Sequence, residues 1–83
     1  MFVATIHIML KPTVNDPQGQ TILSTLQNMG FISAIRVRTG KQIEVHLNSN
    51  DYRNAESEVK AMCNNLLANP IIEEFHFTLT ETD

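Results

Sequence analysis

Alternation of apolar and polar side chains begins at the second residue. Phe2, Ala4, Ile6, Ile8 and Leu10 share one side of an extended chain; Val3, Thr5, His7 and Met9 share the other. Period two with β-branched residues predicts a strand from Phe2 to Leu10 whose even positions face the core. The pattern breaks at Lys11-Pro12-Thr13-Val14-Asn15-Asp16-Pro17-Gln18-Gly19-Gln20. Within that turn Asp16 suits an N-cap, and Pro17 suits the first helical position, where a missing N–H costs nothing. Ile22, Leu23, Leu26 and Met29 then recur at helical spacing, and Gly30 suits the residue just past a helix end. Together these predict a helix from about Pro17 to Met29.

From Phe31 to Leu47 the pattern predicts two strands about a turn at Thr39-Gly40-Lys41, with Ile35 and Val37 on one face of the first. Ile43, Val45 and Leu47 share one face of the second, and a short glycine-containing link between alternating runs signals a hairpin. Asn48 to Asp51 is a polar turn rich in N-cap residues. Ala55, Val59, Met62, Cys63, Leu66 and Leu67 come next as the apolar stripe of a second helix. Asn69-Pro70 should stop it, since a residue before proline avoids the α region. A last strand runs from Ile71 to Thr80 with Phe75, Phe77 and Leu79 inward, and Glu81-Thr82-Asp83 is expected to fray. The order β-α-β-β-α-β predicts an α+β ferredoxin-like sandwich, an antiparallel sheet carrying two helices on one face, formed as a single domain by residues 1–83.

Composition narrows the picture. A chain of 83 residues buries roughly 60% of the surface its unfolded form exposes, so self-association is a fair expectation. A net charge of −3 argues against a nucleic-acid binder, which needs a basic surface. No apolar run approaches the ~20 residues needed to span a bilayer, so no membrane partner is expected. The N-terminus lacks the basic segment and cleavage site of a signal peptide. One cysteine, Cys63, excludes an internal disulfide framework. A cytoplasmic protein is the simplest fit.

Candidate chemistry is sparse. The chosen faces put His7, His46 and His76 together on the outer side of the sheet, and three imidazoles could hold zinc. The plainer reading is half-exposed histidines on a solvated or partner-facing surface, and no metal site is expected. Cys63, in the apolar stripe, reads as a small core hydrophobe rather than a nucleophile. Glu56/Glu58 and Glu73/Glu74 do not face one another within their elements, while Glu56 and Lys60 suit a surface ion pair. Arg36, Arg38 and Lys41 could dock an acidic partner or a phosphate, or simply guard an edge strand. The Lys11–Gln20 turn lacks the GxxxxGK[ST] spacing of a phosphate loop. No catalytic residue is expected.

Several stretches then add up to a resemblance. They are Lys11-Pro12 with Asp16-Pro17-Gln18-Gly19, then Val37-Arg38 with Gly40-Lys41 and Ile43-Glu44, then the run from Met62 to Glu73. The chain resembles the PurS family, the small subunits of phosphoribosylformylglycinamidine synthase. Thr13 and Asn15 depart from the family pattern, where glycine and an aliphatic residue are common. The resemblance implies a non-catalytic subunit of a glutamine-dependent, ATP-consuming ligase of purine biosynthesis. It implies a homo-oligomer, dimer or tetramer, that bridges a glutaminase subunit, PurQ, and a synthetase subunit, PurL, and supports ammonia transfer. It implies no cofactor on this subunit, with ATP and Mg on the large one. By the same resemblance the partner-contacting residues are Lys11, Pro12, Asp16, Pro17, Gln18, Gly19, Arg38, Gly40 and Lys41. On the residues alone, a stand-alone ferredoxin-like dimer binding a small ligand and a small enzyme using the outward histidines stay open.

Overall fold

The structure is a computed structural model that describes residues 1–82. Strand β1 (Phe2–Leu10), helix α1 (Pro17–Asn28), strand β2 (Gly40–Leu47), helix α2 (Tyr52–Met62) and strand β3 (Glu73–Glu81) succeed one another in that order. The strands form an antiparallel sheet in the order β2-β1-β3. Every inward row has the parity that the alternation predicts. Phe2, Ala4, Ile6 and Ile8 are buried on β1, Leu47 on β2, and Ile43, Val45, Phe75, Phe77 and Leu79 pack against them. The core therefore lies between one face of the sheet and α2, which supplies Ala55 and Val59. Each fully buried aliphatic side chain of this kind stabilises the fold by about 1.5–3 kcal/mol relative to exposure.

Helix α2 starts where Asp51 accepts the Arg53 N–H at 3.1 Å. It runs into a π-helical turn, Cys63–Leu67, closed by Ala68 N–H donating to the Cys63 carbonyl at 3.0 Å. A π-turn inserts extra residue width into the helix, which rotates the last turn. Ala68 is buried as a result, while Leu66 is 82% exposed instead of extending the stripe. The turn after it is held by Asn69, whose side chain accepts the Ile71 N–H and whose carbonyl accepts from Ile72 and Glu73. The chain end does not fray at Glu81 and Thr82: Glu81 belongs to β3 and Thr82 N–H donates to the Met1 carbonyl at 2.7 Å. Asp83 lies outside the described residues.

The α+β class and the antiparallel sheet agree with the pattern, but two features of the ferredoxin-like layout differ in the single chain. Phe31–Thr39 pairs with no strand among the described residues, so the sheet has three strands rather than four. Instead Thr39 is tied to Asp16 and Arg38 to the Lys11 carbonyl, and the Val37 backbone oxygen lies against Gly19, so the end of this segment sits over the start of α1. Helix α1 also stands off the sheet: Gly19 is its buried residue, and Ile22 and the C-cap residue Met29 are exposed. Its C-terminus closes in a Schellman arrangement, with Gly30 at φ +100° and Phe31 N–H donating to Leu26. The result is an elongated molecule of 50 × 29 × 14 Å with a radius of gyration of 16.5 Å. A compact chain of this length would have about 12 Å.

Candidate partner interface

The turn after β1 is built around a buried carboxylate. Asp16 accepts the Gly19 N–H at 2.9 Å, the ordinary capping bond of α1. It also accepts the Thr39 N–H at 2.6 Å and the Thr39 hydroxyl at 2.9 and 3.1 Å. Such bonds favour the ionised form, and those from Thr39 and Gly19 hold its carboxyl below the usual carboxylate range, with a smaller contribution from Arg38. The Arg38 guanidinium in turn donates to the Lys11 carbonyl at 2.9 Å. One carboxylate and one guanidinium thus fasten the start of α1, the end of β1 and the entry to β2 into a single joint.

Gly19 is required by the same joint. A β-carbon there would run into the Val37 backbone oxygen and lie 2.8 Å from an Asp16 carboxylate oxygen. Beside the joint is an open groove of about 520 Å³. Ile8, Leu10 and Pro17 give it an apolar floor, and Gln18, Lys41 and Glu73 a polar rim.

Most residues named for partner contact come together here. Pro12, Pro17, Gln18, Gly40 and Lys41 are exposed, and Lys11 and Arg38 are half-buried. Asp16 and Gly19 are buried, and their bonds and contacts lie within the chain. Within this chain they shape the joint from beneath. Two further residues, Thr39 and Glu73, belong to the site. Thr39 carries no local signal, because its partner is 23 residues away. Glu73 accepts the Asn69 N–H at 2.7 Å, which a carboxylate following Asn-Pro hints at.

The other candidates resolve differently. The sheet register sets His7 opposite His76, with ring centroids 4.8 Å apart. His46 lies four residues along, opposite Val3, and contacts Glu44 at 2.7 Å. The three histidines therefore do not cluster, and no group of three or more His, Cys, Asp or Glu among the described residues could hold a metal. Cys63 is buried in the core, and burial pushes its thiol pKa up, which suppresses the nucleophilic thiolate. Glu56 and Lys60 form no ion pair among the described residues; the neighbouring Glu58 takes a bond from Asn54 at 3.1 Å instead. No helix among the described residues is long and apolar enough to cross a membrane.

Comparison with known proteins gives a consistent result. A family model described as PurS, phosphoribosylformylglycinamidine (FGAM) synthase, matches residues 3–81. The PurS subunit of phosphoribosylformylglycinamidine synthase from Synechocystis sp. is 40% identical over 75 residues, covering 90% of this chain and 75% of that protein. The crystal structure of Methanocaldococcus jannaschii PurS superposes with a TM-score of 0.89 at 34% identity, covering 100% of both chains. A chain in the structure of PurLQS from Thermotoga maritima gives 0.87 at 29% identity, covering 95% of this chain and 96% of that one.

Proposed function

The chain belongs to the PurS family of phosphoribosylformylglycinamidine synthase, and on that basis we propose how its shape serves the complex. It is a subunit of this ligase, in purine biosynthesis. Its part is non-catalytic: it bridges a glutaminase subunit, PurQ, and an ATP-dependent synthetase subunit, PurL, and supports delivery of ammonia from one to the other. The similar chain within PurLQS of Thermotoga maritima supports such partners. Within this chain the supporting geometry is the Asp16–Thr39 joint, which holds the residues lining the adjacent groove, Pro17 on its apolar floor and Gln18 and Lys41 on its polar rim, with Gly40 beside them. Rigid presentation lowers the entropy cost of docking.

We further propose that the chain acts as a homo-oligomer. The supporting observation is an elongated monomer whose α1 end leaves Met29, Phe31, Ile32 and Ile35 exposed, the last two at 81% and 85%. A patch of that kind on a small soluble chain marks a protein contact, and Ile35-Arg36-Val37 keeps the alternation of a strand that lacks a neighbour. A second copy supplies the missing cover.

Reconstitution tests the reading. The two larger subunits are assayed for glutamine-dependent formation of the amidine with and without this chain. Activity and co-elution should require it, while ammonia-dependent activity of the synthetase subunit should persist in its absence. Gln18→Trp should weaken co-elution while leaving the melting temperature close to wild type. Equal glutamine-dependent activity with and without the chain would overturn the bridging role.

A further inference from the structure

The face of the sheet opposite α2 carries a rung that the proposed function does not use. Gln42, His7 and His76 lie side by side across β2, β1 and β3. The two imidazoles stack with centroids 4.8 Å apart and planes 18° from parallel. Directly opposed residues on antiparallel strands keep their β-carbons about 4.5–5.5 Å apart, so the backbone itself sets this separation. His7 is on the central strand, bonded on both sides, and cannot drift from its neighbour. Among the described residues no carboxylate lies within ion-pair distance of either ring, whereas His46 is taken up by Glu44.

From this we infer that His7 and His76 form a two-point site for a borderline divalent transition-metal ion, of the copper(II), nickel(II) or zinc(II) class. Imidazole nitrogen is a favoured ligand for these ions. Two bonds of about 2.0–2.1 Å place their nitrogens about 3.4 Å apart at a tetrahedral zinc(II) and about 2.9 Å apart at the right-angled positions of copper(II) or nickel(II). Rings with centroids 4.8 Å apart approach either spacing by turning about the bond to the ring, a soft rotation. The charged residues nearest on this face favour a cation. Glu74 is two residues from His76 along β3, and Glu44 is one rung away on β2, beside Thr5. Water or a neighbouring chain completes the coordination, because no third strong ligand is within reach.

The test needs no partner subunit and so stands apart from the synthase reading. Nickel(II) is titrated calorimetrically into the metal-free full chain in a non-coordinating buffer. Wild type should show a saturable site, and His76→Gln should bind about 10²-fold more weakly, the gain expected of two linked contacts over one. His46→Gln should bind as wild type does. Nickel should raise the melting temperature of wild type and of His46→Gln, because an ion held by the native pair stabilises it, and should leave that of His76→Gln unmoved. His7→Gln should match His76→Gln; should it fail to fold, His76→Gln, exposed on an edge strand, carries the comparison. Equal binding by wild type and His76→Gln, or an equal loss in His46→Gln, overturns the site.

Discussion

The Asp16 carboxylate accepts the Thr39 N–H at 2.6 Å across 23 residues of sequence while it caps α1 through Gly19. Asp51 caps α2 with a single exposed bond to Arg53. Asp16→Ala should therefore lower the urea midpoint of unfolding more than Asp51→Ala does. Equal midpoints for the two variants would mean that the Thr39 bonds add nothing to the cap.

The same bonds set a pH dependence. Hydrogen bonds from Thr39 and then Gly19 depress the folded pKa of Asp16, so the unfolded chain binds its proton more readily. The stabilisation is complete above the unfolded value of about 3.9 and is lost as pH falls through the lower folded value. Urea midpoints measured from about pH 5 down to about pH 2 should fall more steeply for wild type than for Asp16→Asn. Parallel curves would show that other carboxylates carry the acid sensitivity.

Glycine inside a helix ordinarily costs about 0.5–1 kcal/mol relative to alanine, so Gly19→Ala would be expected to help on propensity alone. Here the added methyl runs into the backbone oxygen of Val37 and crowds the capping carboxylate. Backbone cannot yield as the end of a flexible side chain can, so the variant should melt at a lower temperature. A rise in melting temperature would show that the 37–39 segment can lift away from α1.

Core and patch residues should separate folding from assembly. Ile6 is fully buried, and Ile6→Ala should cost about 2–5 kcal/mol of stability by denaturant titration. Ile35 is 85% exposed, and Ile35→Ala should change the stability of the dilute chain by no more than about 0.5 kcal/mol. Ile35→Asp should shift the mass measured by light scattering toward the monomer, because a carboxylate is costly to bury in an apolar contact. An unchanged mass would place the contact between copies elsewhere.

Features governed by short-range periodicity were legible in the amino-acid sequence alone. Alternation set which face of each strand turns inward, and Phe2, Ile6, Ile8, Leu47 and Phe77 all lie where it requires. Asp16-Pro17 and Gly30 marked the ends of α1, since capping chemistry acts within a few residues. The stretches around Asp16, Gly40 and Asn69 sufficed for the family. Tertiary structure decided the rest, wherever the deciding partner is far along the chain or the helix changes its own winding. Ile35 and Val37 alternate as strand residues should, yet a strand needs a neighbour, and the bonds Thr39 to Asp16 and Arg38 to Lys11 hold this segment elsewhere. Leu66 fits the helical stripe, yet a π-turn carries it outward and brings Ala68 in. Asp16 and Gly19 read in sequence as a surface for a partner. Their hydrogen bonds and close contacts make them the inside of a joint, whose rim, Gln18 and Lys41, is what another protein can reach.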